Sequence, residues 1–141
     1  MRRRTKILLG LALLVAVAFA VYVRFSPLAI FAHRISEADR AVATLAPQHL
    51  VSITITGEDL RHVVGMVSSS HWDTKPYACG PIADVKFFKG NEMLGQMTTC
   101  LQLMWIGRSQ YRDDTRLLES LVVNPLFQAK RESEIQQAET K

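Results

Sequence analysis

The chain has 141 residues, 17 Lys/Arg and 13 Asp/Glu, enough for one modest domain plus an appendage but not for two ordinary domains. Its net charge of +4 is uneven, because Arg2, Arg3, Arg4, Lys6 and Arg24 flank a single apolar run, and the other 12 Lys/Arg face 13 Asp/Glu. The remainder therefore lacks the basic patch that nucleic-acid binding requires, and no nucleic-acid partner is expected.

The run "ILLGLALLVAVAFAVYV" (Ile7 to Val23) carries no charge. As a helix it would rise roughly 25 Å, at the short end of what crosses a bilayer. Ile7, Leu8, Leu9, Leu11, Leu13, Leu14, Val15, Val17, Phe19, Val21, Tyr22 and Val23 are its anchoring side chains. Tyr22 suits the interface, and Arg24 can extend to it. The basic residues before the run place the N-terminus in the cytoplasm and the rest outside, in the periplasm if the cell is bacterial. Membrane lipid is thus the first expected partner. The competing reading is a secretory signal cleaved at the small-x-small "AFA" (Ala18 to Ala20). Both readings export the remainder of the chain. Residues 1–27 are read as the anchor and 28–34 as a juxtamembrane linker, with a break at Pro27.

Residues 35–127 read as one α+β domain: an antiparallel sheet of three to five strands with two helices on one face. "RAVATL" alternates near Ala41 to Leu45 and is read as a short strand. "LVSITIT" is the clearest strand, with Val51, Ile53 and Ile55 on one side. The period then changes. Leu60, Val63, Val64 and Val67 make a helical stripe, with Thr56 at the capping position and Gly65 a candidate for close packing on the sheet. "ADVKFFKGNEMLGQMTTCLQLMWI" reads as a hairpin turning at Gly90-Asn91, with Gly first as a type II′ turn requires. Its second arm, from Glu92 toward Ile106, is long enough to need a bend, and Gly95 and Gly107 are candidate sites. A third short strand falls near Gln110 to Arg112. A second helix starts at Asp113-Asp114, carries Leu117, Leu118, Leu121 and Val122, and stops at Asn124-Pro125. Residues 128–141 read as a polar tail, a frayed helix or a disordered segment.

Cys79 and Cys100 are the two cysteines. With the turn at Gly90-Asn91, Cys100 falls opposite Pro81, roughly 7 Å along the strand from Cys79. A bend of the flexible loop brings the pair to the Cα separation of about 5.5 Å that a disulfide needs. Export permits oxidation, so a bridge is expected.

"SSSHWDTKPYACGPI" (Ser68 to Ile82) concentrates nucleophile, base and acid residue types. Consecutive side chains splay apart, whereas a catalytic triad needs convergence from separate elements. The serines are read as a helix end. "CGP" resembles the active-site loop of thioredoxin-like proteins, Cys-Gly-Pro-Cys, but Ile82 stands where the second cysteine would be. His33, His49, His62 and His71 lack metal-ligand spacing. No metal, cofactor or catalytic residue is assigned.

Trp72 and Tyr77 flank Pro76 in this loop and are candidate binding anchors. Phe88 and Met93 fall opposite each other on the outer face of the hairpin and form a candidate contact patch. Trp105 and Tyr111 are assigned to the core. The leading expectation is a membrane-anchored extracytoplasmic binding domain, an accessory subunit or sensor of an envelope complex with an envelope protein as partner, and not an enzyme. The alternatives are a small thiol-dependent envelope enzyme or redox factor using Cys79 with His71 as base, and a secreted inhibitor released by signal cleavage.

Overall fold

A computed structural model describes residues 2–24, 26–46, 51–75 and 79–139. The first helix, α1 (Arg2–Arg24), is followed by α2 (Pro27–Ile35). Ser26 caps α2 by accepting the Ala29 N–H at 3.2 Å, and Pro27 opens its first turn, where a missing N–H costs nothing. No single helix among the described residues is long and apolar enough to cross a membrane. Ile7–Tyr22 and Pro27–Ile35, bent by 45°, reach that length only together.

Residues 28–34, expected to form a linker, belong to the folded unit. Phe31 and Ile35 enter the core, and the Phe31 ring meets Phe87 edge-on at 5.9 Å. Gly95 makes this possible, since a Cβ there would stand 2.6 Å from the Phe31 ring.

The chain then forms β1 (Arg40–Leu45), β2 (Ser52–Ile55), α3 (Gly57–Ser69), β3 (His71–Trp72), β4 (Ala83–Lys89), β5 (Glu92–Cys100), β6 (Leu103–Ile106) and β7 (Ser109–Arg112). All seven strands join one antiparallel sheet in the order β2-β1-β4-β5-β6-β7-β3. The α+β class holds, with more strands than the three to five expected. The long second arm is divided because Leu101, with φ +51°, turns the chain between Cys100 and Leu103. Gly107, at φ +62°, then turns it between Ile106 and Ser109. Gly90 adopts φ +57° at the expected hairpin turn, where Lys89 faces Glu92. A bulge next to Gly95 puts Phe87 opposite Gly95 and Phe88 opposite Met93, so Leu94 is the extra residue.

One face of the sheet is closed. Ala41, Ala43, Val85, Phe87, Met97, Met104 and Tyr111 form one core with Phe31 and Ile35 of α2 and Leu60, Val63, Met66 and Val67 of α3. Val64 is only half-buried, and Gly65 lies on the outside with open space around it rather than against the sheet. Thr56 occupies the capping position of α3 without a side-chain cap bond, and Gly57 makes the corner with φ +61°.

The last helical segment differs most from expectation. Helical structure begins at Leu117, passes through a π turn (Glu119–Val123) and continues as α4 (Asn124–Glu139). Pro125 does not stop it. The Asn124 N–H reaches back to the Glu119 carbonyl, and this wide turn makes room for a ring that would otherwise meet the carbonyl four residues earlier. Leu118, Val122 and Leu126 are buried in the core, and of the two readings of the polar tail, frayed helix or disordered segment, the helical one applies as far as Glu139. Asp113 starts the element as expected. Its carboxylate accepts the Leu118 N–H at 2.9 Å and the Thr115 N–H at 2.8 Å.

Candidate functional site

The strand β3 lies at one edge of the sheet and β4 near the middle, so the chain between them must cross the sheet. Of the residues between them, 73–75 and 79–82 are described, and their contacts are to the face opposite the core. Gln110 donates its side-chain N–H to the Lys75 carbonyl at 3.0 Å. Ile82 rejoins the strands by donating to the Thr99 carbonyl at 2.8 Å. Cys79 and Cys100 stand at disulfide distance, with a Cα separation of 6.3 Å. The bulge sets Cys100 level with Ile82 rather than Pro81.

At the loop's start, Asp73 accepts from the Arg112 Nε at 2.8 Å and from the Lys75 N–H at 3.0 Å. The backbone donor of Lys75, then the guanidinium, hold the Asp73 carboxyl below its ordinary value. Beside the disulfide lies a cleft of about 270 Å³ lined by Leu101, Gln102, Leu103, Arg112 and Glu119 as well as the two cysteines.

Ser, His and Asp of this stretch do not converge. Ser68 donates to the Val64 carbonyl, and Ser69 and Ser70 donate to that of Met66, as hydroxyls ending a helix do. His71 Nδ1 lies 3.2 Å from the Asp114 carboxylate, and Asp73 is held by Arg112. No group of three or more metal-ligating residues gathers among the described residues.

The outward face beyond the loop is built by strand alternation. Because β1, β4 and β5 pair Arg40 with Phe88, Val42 with Lys86, Lys86 with Gln96 and Phe88 with Met93, these six residues share one surface. Met93 is 50% exposed, Lys86 and Gln96 are exposed, and Val42 and Phe88 are half-buried. The Arg40 guanidinium lies 5.0 Å from the Phe88 ring centroid and 3.6 Å from the Asp39 carboxylate. Asp84, farther along β4, accepts the Thr98 hydroxyl at 2.8 Å. Trp105 also faces this side, opposite Thr98, and is half-buried, so its assignment to the core is corrected. Tyr111 does belong to the core.

The corner of this patch is braced. Asp39 accepts the Gly90 N–H at 2.5 Å and donates its own N–H to the Phe88 carbonyl at 2.9 Å. Glu37 and Lys89 pair at 2.5 Å, and their mutual hydrogen bond lowers the Glu37 pKa and raises that of Lys89.

The four aromatic and Met candidates therefore do not form one site. Phe88 and Met93 adjoin. Trp72, 66% exposed, lies on edge strand β3 and pairs with Tyr111, which points to the core side. It is three strands away from β5 and on the other side of the sheet. Tyr77 lies outside the described residues. The alternation of "ADVKFFK" places Lys86 beside Phe88 on the outward face. The neighbouring Arg40 and Val42 were not legible, because only the pairing of β1 with β4 brings them there.

No family model, curated protein or solved structure matches the chain.

Proposed function

We propose that the protein is a membrane-anchored extracytoplasmic interaction module, an accessory subunit or sensor of an envelope complex. The observation that carries this reading is the contrast between α1 and the rest. The large apolar side chains from Ile7 to Tyr22 are 51–70% exposed, whereas the α+β unit has a closed core. Such a helix in water leaves a continuous apolar surface uncovered, and lipid is the natural solvent for it. Phe31 and Ile35 are committed to the core, so α1 alone serves as the anchor. Its uncharged run from Ile7 to Val23 rises roughly 25 Å, at the short end of a bilayer span, and the basic residues at its start favour an orientation with the domain outside. The disulfide-distance cysteine pair suits an oxidising compartment.

The test uses full-length protein in cells. The chain should stay with membranes through alkaline carbonate washing, and protease added to opened cells should digest the domain only from the extracytoplasmic side. Recovery in the soluble fraction with an intact mass lacking residues 1–20 would replace this reading with the secreted form. Protection from outside protease would reverse the orientation.

A further inference from the structure

The uncharged run of α1 falls roughly 5 Å short of the hydrocarbon core of an average bilayer. Thinning of the bilayer or snorkelling of flanking residues makes up such a shortfall, and both bring the lipid interface to the flanks of the span. On the domain side the flank is α2. Phe25 and Ser26 separate it from α1, and the two helices touch. Because Phe31 and Ile35 are held in the core, the roll of α2 about its axis is set by the sheet. That roll leaves Pro27, Ile30 and Arg34, at i, i+3 and i+7, along one exposed side of the helix. Ile30 is 46% exposed, a large apolar side chain one turn from the anchor.

With α1 along the bilayer normal and α2 bent from it by 45°, Ile30 stands roughly 3 Å and Arg34 roughly 7 Å farther out than Pro27. The headgroup layer of one leaflet is roughly 5–8 Å deep. The exposed side of α2 thus passes from apolar to cationic over the depth in which a leaflet passes from acyl chain to phosphate. Burial in lipid suits Ile30, and a guanidinium matches a phosphate with paired donors. An exposed Ile beside an Arg does not by itself select lipid. The short, contacting connection to α1 does, because it leaves this side of α2 no other depth to occupy.

We infer that α2 is seated in the headgroup layer of the domain-side leaflet, with Ile30 against the acyl chains and Arg34 on a lipid phosphate, so that the domain lies against the bilayer rather than on a stalk. This rests on the anchor reading of α1 and specifies how the domain meets the membrane.

The test places a photo-crosslinking residue in the full chain in cells, at Phe19 in α1 and separately at Ile30, and reads the adducts by intact mass. Both positions should gain the mass of a phospholipid. Arg34→Glu should lower the phospholipid yield at Ile30 at least threefold, and Arg34→Lys should retain it. The yield at Phe19 should stay the same in both variants, which shows that the chain is still inserted. Phospholipid at Phe19 with none at Ile30 overturns the seating and leaves the anchor standing. A second copy or another protein crosslinked at Ile30 in place of lipid overturns it in favour of that partner. A yield at Ile30 unmoved by Arg34→Glu overturns the phosphate contact. No phospholipid at Phe19 overturns the anchor reading itself, and the seating with it.

Discussion

The Thr99 hydroxyl is fully buried between β4 and β6 and has no hydrogen-bond partner among the described residues. A buried polar atom without a partner carries its desolvation cost uncompensated, and an apolar group of the same shape removes that cost. Thr99→Val should leave the melting temperature unchanged or raise stability by up to about 1 kcal/mol. Thr99→Ser, which keeps the hydroxyl and deletes a methyl, should lower it. A loss in the Val variant would mean that the hydroxyl has a partner. Asp73 supplies a second residue-scale prediction. Its folded pKa is below the ordinary 3.8. The tie to Arg112 and Lys75 is therefore complete above the unfolded value and is lost as pH falls through the folded value. Amide exchange at Trp72 and Asp73 should accelerate only below about pH 4. Asp73→Asn should exchange faster at neutral pH and lose that acid step. An acid step unchanged in Asp73→Asn would assign it to another carboxyl.

At the scale of elements, the docking of α2 depends on Gly95. Alanine there meets the Phe31 ring, which is itself wedged against Phe87. Gly95→Ala should cost about 1–3 kcal/mol, the range for overpacking a filled core, in chemical denaturation. A neutral result would mean that α2 does not pack as described. Strands were the most legible elements. The alternation in "RAVATL", "LVSITIT" and "ADVKFFK", and the Gly90-Asn91 turn, correspond to β1, β2, β4 and the β4–β5 hairpin. The bulge is legible at Gly95 from its lack of a side chain, although Leu94 is the residue left over. Two signals mislead. Pro125 reads as a stop by its local chemistry, but the π turn before it and the burial of Leu126 outweigh that. Leu101 carries no turn signature, since a left-handed Leu is set by the pairing of Cys100 with Leu103 rather than by its own preference.

At the scale of the molecule, the chain leaves edge strand β3 and re-enters the sheet at the central β4, and the Cys79–Cys100 pair ties the residues just before β4 to the end of β5. The two cysteines are 21 residues apart. Closing such a loop in the unfolded chain is worth about 3 kcal/mol. Cys79→Ser and Cys100→Ser should therefore destabilise the protein by similar amounts, read as equal drops in melting temperature. A variant pair in which Cys79→Ser alone abolished a measurable activity without altering stability would revive the thiol-enzyme alternative.

The patch around Phe88 and Met93 shows where local and global information divide. Side-chain alternation along one strand, and the pairing across a two-residue turn, are short-range consequences of backbone geometry, so Phe88 opposite Met93 could be read directly. The apolar N-terminal run, the helical stripe of α3 and the cap at Asp113 are local in the same sense. The placement of β1 beside β4 and of β3 beside β7 joins residues about 40 positions apart. It is chosen by which apolar faces close over one another, and a one-residue slip would turn every side chain to the wrong side. Only that tertiary choice brought Arg40 and Val42 next to Phe88 and Lys86, sent Trp105 outward, and set Trp72 apart from the patch.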